Sequence, residues 1–212
     1  MTEVRQQENS VVFSMRFSQA ILEGIVEILG FADTRTILEK AYIPLEGDDF
    51  SKVKFLKGLD QNQLNDFSEA LEKRYGKRSG NGILWKIGEA TLHYLRNNFE
   101  EIQLVGSLEQ RIAPFQQKMQ SGLDALATLL ANQTKSNVLA QDIEKNHWEF
   151  SLESNWLIAA DCEVRWCFFV RGLLVALLEW LDNRKNYTVE ELQCTARGDY
   201  ACVFNITASV MD

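Results

Sequence analysis

The chain changes its hydrophobic period once. From Met15 onward Phe17, Ile21, Leu22, Ile25, Ile28 and Leu29 repeat at three and four, the spacing of one helix face, and Gly30 marks a stop. Thr34 to Lys40 predicts a short second helix, and Pro44 with the Glu46–Asp49 run a loop. Asp60 is placed to cap a helix that carries Leu64, Phe67 and Leu71 as far as Tyr75. The run K-R-S-G-N-G, Lys77 to Gly82, reads as a break. A longer helix follows from Ile83 to Asn98, with Leu84, Ile87, Thr91, Leu95 and Phe99 on its apolar face. Ser107 to Ala131 predicts another, with Pro114 as a kink or as the true start. After a polar hinge at Asn132–Asn137 the period drops to two. Val138, Ala140 and Ile143, then Trp148, Phe150 and Leu152, predict two strands.

Between Trp166 and Leu178 the only charge is Arg171, and a helix apolar all round belongs in a core. Beyond it Tyr187, Val189 and Leu192 lead to Cys194, and Cys202, Phe204 and Ile206 alternate on the way out, with A-R-G-D-Y as the turn of a hairpin. A turn centred on Gly198 sets Cys194 opposite Cys202, with Cβ atoms roughly 4.5–5.5 Å apart on one face. The order is helices, two strands, a long helix over about 164–182, and two strands. It predicts an α+β fold: an antiparallel sheet of about four strands covered on one face by the long helix. An N-terminal helical part, 1–135, and an α/β core, 136–212, make one compact domain.

Composition narrows the function. At 212 residues the chain can bury one substantial core, and its net charge of −8 argues against a nucleic-acid surface, which wants clustered Lys and Arg. The first ten residues carry no apolar signal region, and the uncharged apolar run Gly172–Leu178 is far too short to span a bilayer. Both points read as a cytoplasmic protein. The four cysteines are then expected to be reduced, as metal ligands or as core thiols. No nucleophile–base arrangement and no G-x-G-x-x-G dinucleotide fingerprint is visible, so no catalytic residue is assigned.

The residues Cys167, Gly172 and Leu174, followed by Glu191, Cys194, Ala196, Gly198, Asp199, Cys202, Phe204 and Ile206, form a pattern over about 146–206. It resembles the signature of the V4R (4-vinyl reductase) domain. The resemblance implies a small-molecule-binding α/β module, often a homodimer, related in fold to vesicle-tethering subunits and found in chlorophyll biosynthesis and in aromatic-responsive sensors. It also implies a structural zinc held by Cys167, Glu191, Cys194 and Cys202. Three thiolates and one carboxylate can close a tetrahedral site. Glu191 and Cys194 stand three apart, so they share a face only if the strand bulges or ends near Glu191. Asp161 or Cys162 is an alternative fourth ligand, and small thiols packing a sheet are the alternative to a metal.

Trp148, Phe150, Trp156, Trp166 and Phe169 gather around the predicted sheet and helix, either as walls of a pocket for a flat hydrophobic ligand or as ordinary core. Arg171 reads as paired to Glu163 or Glu179, or as the partner of a ligand carboxylate. The two histidines, His93 and His147, are the imidazoles available to a tetrapyrrole metal. Neither has a partner ligand at a recognisable spacing, so both read as surface residues. The leading expectation is a carrier or assembly factor holding a tetrapyrrole or pigment intermediate in chlorophyll biosynthesis or photosystem assembly. The rivals are a reductase of a chlorophyll-precursor vinyl group and a protein-binding adaptor. A homodimer through the helical part is expected, because Met15–Leu29, Ile83–Asn98 and the apolar residues Leu104, Val105, Leu108 and Ile112 offer more apolar surface than one covered sheet can bury.

Overall fold

A computed structural model describes residues 12–47, 54–107, 112–153 and 166–210. Helix α1 (Met15–Lys40) opens on Ser14, whose Oγ accepts a hydrogen bond from the Phe17 amide, and it breaks at Gly30, which leaves the helical region at φ 74°, ψ 162°. A two-residue ladder pairs β1 (Leu45–Glu46) with β2 (Lys54–Phe55) on either side of the Pro44 loop. Helix α2 (Gln61–Tyr75) starts in a capping box: the Asp60 side chain accepts from the Gln63 amide and the Gln63 side chain returns to the Asp60 backbone.

The K-R-S-G-N-G run departs from expectation. It is helical, and α3 runs unbroken from Lys77 to Asn98, the chain turning instead at Gly76 with φ 79°. Gly80 is buried there, so packing overrides the weak helix propensity of the stretch. Helix α4 (Glu100–Val105) follows. Helix α5 (Phe115–Thr134) begins after Pro114, so the proline is a true start of this helix; residues 108–111 lie outside the described ones. The four-stranded sheet takes β3 (Asn137–Glu144), β4 (His147–Glu153), β5 (Lys185–Gln193) and β6 (Cys202–Val210) in the order β3-β4-β6-β5, every pair antiparallel. Helix α6 (Cys167–Leu181) lies between β4 and β5 in sequence.

Alternation decides what the sheet buries. Trp148, Ile206 and Val189 form one cross-strand row, Phe150 and Phe204 the next, Leu152 and Cys202 a third, and all seven are buried. Helix α5 covers the β3 side and α6 the β5 side; α3 packs on α6, and α1 on α3. At the α3–α6 crossing Gly88 and Gly172 face each other's helix: a Cβ at Gly88 would overlap the Phe169 carbonyl oxygen, and one at Gly172 the Trp85 carbonyl oxygen. Through this stacking Phe17, Ile21, Leu22, Leu84, Ile87 and Leu95 are essentially solvent-free inside the chain. The surplus apolar surface behind the expected homodimer is therefore largely absorbed by the chain itself; Leu104 and Ile112 keep 61% and 84% of their surface exposed. Among the described residues no helix is long and apolar enough to cross a membrane.

Candidate functional site

Three elements meet where the sheet joins α6. Cys167 is the first residue of α6, Cys202 the first of β6, and Cys194 the residue just past the end of β5. Trp166 fixes the start of α6: its Nε1 donates to the Leu64 carbonyl at 3.0 Å, and its ring packs edge-on against Phe169. Between the strands a one-turn 3-10 segment, Thr195–Arg197, reverses the chain. The Cys194 carbonyl accepts from the Arg197 amide, and Gly198 takes the left-handed φ of 94° that closes the turn. Asp199 then accepts the Cys194 amide at 2.7 Å.

Strand β5 carries an irregularity between Glu191 and Gln193. Regular alternation from the buried Val189 would take Glu191 inward and Cys194 outward. The extra residue brings Cys194 back to the inner face, so both side chains reach one point. The donor atoms of Cys167, Glu191, Cys194 and Cys202 all lie within 4.8 Å of one another. Cys167 Sγ is 3.5 Å from Cys194 Sγ and 3.4 Å from Cys202 Sγ. All three thiols are buried and free of disulfides, and Glu191 is half-buried with one carboxyl oxygen lacking any hydrogen-bond partner.

The electrostatics are those of groups competing for protons. Contacts with the Cys167 and Cys194 sulfurs, and with the Thr195 amide at 3.4 Å and hydroxyl at 3.3 Å, favour the Cys202 thiolate. Those sulfur contacts, reinforced by burial, hold Cys167 as a thiol. Burial pushes the Glu191 carboxyl up. The set is three soft sulfur donors and one carboxylate, gathered from three elements, which is donor chemistry for a thiophilic divalent ion. Thr195 was not singled out in the sequence, because no local pattern marks a hydroxyl that will face a sulfur seven residues away.

The remaining expected site residues separate. Trp148, Phe150, Trp166 and Phe169 are fully buried members of the continuous core. Trp148 Nε1 lacks a hydrogen-bond partner. Trp156, Asp161, Cys162 and Glu163 lie outside the described residues. Arg171 donates through Nε and Nη2 to the Val189 carbonyl at 3.1 and 2.8 Å, and its guanidinium lies 4.7 Å from the Trp85 ring and 5.6 Å from that of Phe168. Burial lowers its pKa, while Glu191 and Glu190 act the other way. His93 is exposed on α3; His147, at the start of β4, contacts Asn205 and Glu144.

No family model matches the sequence, and no curated protein does. Solved structures do match. An H-NOX protein from S. oneidensis in the Fe(II)NO ligation state has a TM-score of 0.58 at 14% identity, over 90% of this chain and 99% of that one. An oxygen-binding H-NOX domain related to soluble guanylate cyclases, in its oxygen complex, has a TM-score of 0.57 at 11% identity, over 91% and 92%. A protein studied for modulation of haem redox potential through protein-induced porphyrin distortion has a TM-score of 0.57 at 11% identity, over 91% and 92%. These matches correct the V4R assignment and the vesicle-tethering likeness, and the chlorophyll and photosynthesis reading falls with them. The signature that suggested them is confined to one helix start and one hairpin, so it reports a local thiol-bearing turn rather than a lineage. Helices through Thr134, then a helix-covered antiparallel sheet, are what this chain shares with H-NOX domains.

Proposed function

We propose that this chain is a small-molecule-binding domain of H-NOX-like fold whose helix–sheet junction is held by a structural zinc ion on Cys167, Glu191, Cys194 and Cys202. The observation that carries the metal is the donor cluster: four ligand atoms within 4.8 Å, from a set whose half-buried carboxylate has one buried oxygen without a hydrogen-bond partner. A cluster of thiols that served only packing would gain nothing from a desolvated carboxylate, which costs free energy unless paired. Zinc would turn the arrangement from a cost into a link. Four protein ligands complete a tetrahedron and leave no position for a reacting water, so the role is structural rather than catalytic. The Thr195 amide and hydroxyl would support the Cys202 thiolate from behind, as outer partners of a metal ligand do.

The small-molecule part of the reading is supported by the fold, since the matching proteins carry NO, oxygen or haem in their own descriptions. The residues here do not fit a histidine-ligated haem. The sequence has two histidines; His93 faces solvent, and His147 is engaged with Asn205 and Glu144 at the start of β4. The ligand is instead read as a small hydrophobic molecule without a metal of its own.

Cobalt substitution tests the metal reading. Protein refolded with Co(II) is expected to show thiolate-to-metal charge transfer and the strong visible bands of a tetrahedral ion, at one Co(II) per chain. Glu191→Gln should weaken retention by about tenfold or more while leaving the thiolate bands. Octahedral, weakly absorbing cobalt, or none retained after desalting, would return the cluster to core thiols.

A further inference from the structure

The opening of α3 holds a grouping that the metal does not use. Lys77 and Arg78 stand at its start, no acidic residue lies in its first turn, and no side chain caps it. The positive end of a helix ordinarily attracts acids, so two cations there concentrate positive potential on a chain whose net charge is −8. One turn further on, the same helix walls a groove of about 460 Å³, lined by Arg78, Asn81, Gly82, Trp85, Lys86 and Phe168. That volume is in the range of small-molecule sites.

The lining has a definite chemistry. Trp85 and Phe168 are both partly exposed, and Arg171 lies against both rings. Among the described residues two cations line the groove and no carboxylate does. Lys86 is engaged with Glu89, which also accepts from Trp85 Nε1. Arg78, exposed, has no hydrogen bond or ion pair among the described residues. Gly82 leaves the floor open: a Cβ there meets nothing within 4 Å.

We propose that this groove binds a small aromatic carboxylate, its ring against Trp85 and Phe168 and its carboxylate on the Arg78 guanidinium. The charge of the lining selects an anion, the two rings select a flat apolar body, and the exposed Arg78 guanidinium offers a fork to a carboxylate. The proposal rests on the reading of the chain as a small-molecule-binding domain and adds the site and the ligand class; it does not depend on the metal.

The test uses the full chain with benzoate and its uncharged counterpart benzyl alcohol, read through the five tryptophan indole N–H resonances, with Trp85 identified by Trp85→Phe. Benzoate should shift the Trp85 signal saturably and bind roughly tenfold tighter than benzyl alcohol, the worth of one charge-assisted contact. Arg78→Gln should remove that difference and leave benzyl alcohol unchanged. Gly82→Leu, which fills the groove with a better helix former, should abolish binding of both without loss of thermal stability. Saturable shifts at other indoles but not at Trp85 would overturn the groove and keep the small-molecule reading. No saturable shift at any indole with either probe would overturn both. Equal benzoate affinity in Arg78→Gln would overturn the assignment of the anion contact.

Discussion

Gly172 shows how much a single side-chain position decides in this chain. Inside an apolar helix a glycine normally costs about 1 kcal/mol relative to alanine. Here the missing Cβ lets α6 meet α3 backbone to backbone, with Gly88 returning the contact. Gly172→Ala is expected to destabilise the fold by about 1–3 kcal/mol despite its better helix propensity, measured by denaturant unfolding. Wild-type stability in that variant would show that the helices can part without loss. Asp182 decides another corner. Its buried carboxylate accepts from Arg184 at 2.9 and 2.7 Å and faces Lys118 at 3.6 Å, and the Arg184 hydrogen bonds hold its pKa far below the ordinary carboxylate range. A carboxyl depressed on folding adds stability that is fully present above its unfolded value, about pH 3.9, and is lost as pH falls below it. Asp182→Asn should therefore cost about 1.5–3 kcal/mol at pH 7, and the gap to wild type should shrink in unfolding curves taken below pH 4. A gap unchanged down to pH 2 would contradict the ion-pair account.

At the scale of elements, the sequence is legible wherever periodicity and a cap agree. Asp60 with Gln63 announces α2, and the alternation of Trp148, Phe150 and Leu152 announces β4. Gly198 marks the turn that sets Cys194 and Cys202 side by side. It misleads where tertiary packing overrides a local signal. K-R-S-G-N-G looks like a breaker and is helical, and Pro114, which the sequence leaves open as a kink or a start, stands at the cap of a helix that begins at Phe115. The irregularity after Glu191 belongs to a third kind. Nothing in E-L-Q-C marks it; only the demand that Glu191 and Cys194 share a site points to it. Leu192, on the outward side by alternation from Val189, is 56% exposed, so it is Cys194 alone that the shift returns to the inner face. The aromatic residues chosen as pocket walls are mostly core, since an aromatic stripe carries no sign of whether space is left beside it. Trp85, which borders the groove on α3, lies off the Leu84–Ile87–Thr91–Leu95 face that the helical period picks out, so the period gives it no role.

Across the whole molecule, helices α5 and α6 cover the four-stranded antiparallel sheet, and the metal-ligand candidates sit where that sheet, its terminal turn and the covering helix converge. Cys167 lies at one end of α6 and the β5–β6 turn at the sheet's edge, so a bound ion would join helix to sheet over a sequence span from Cys167 to Cys202. Cross-links of that kind stabilise in the folded state what the unfolded chain cannot preassemble. Protein purified without added metal, exchanged into metal-free buffer and measured by inductively coupled plasma mass spectrometry, should carry about one zinc per chain. Cys194→Ser should carry much less and unfold at lower temperature. Zinc-free wild-type protein that unfolds at the same temperature with and without added zinc would contradict the account.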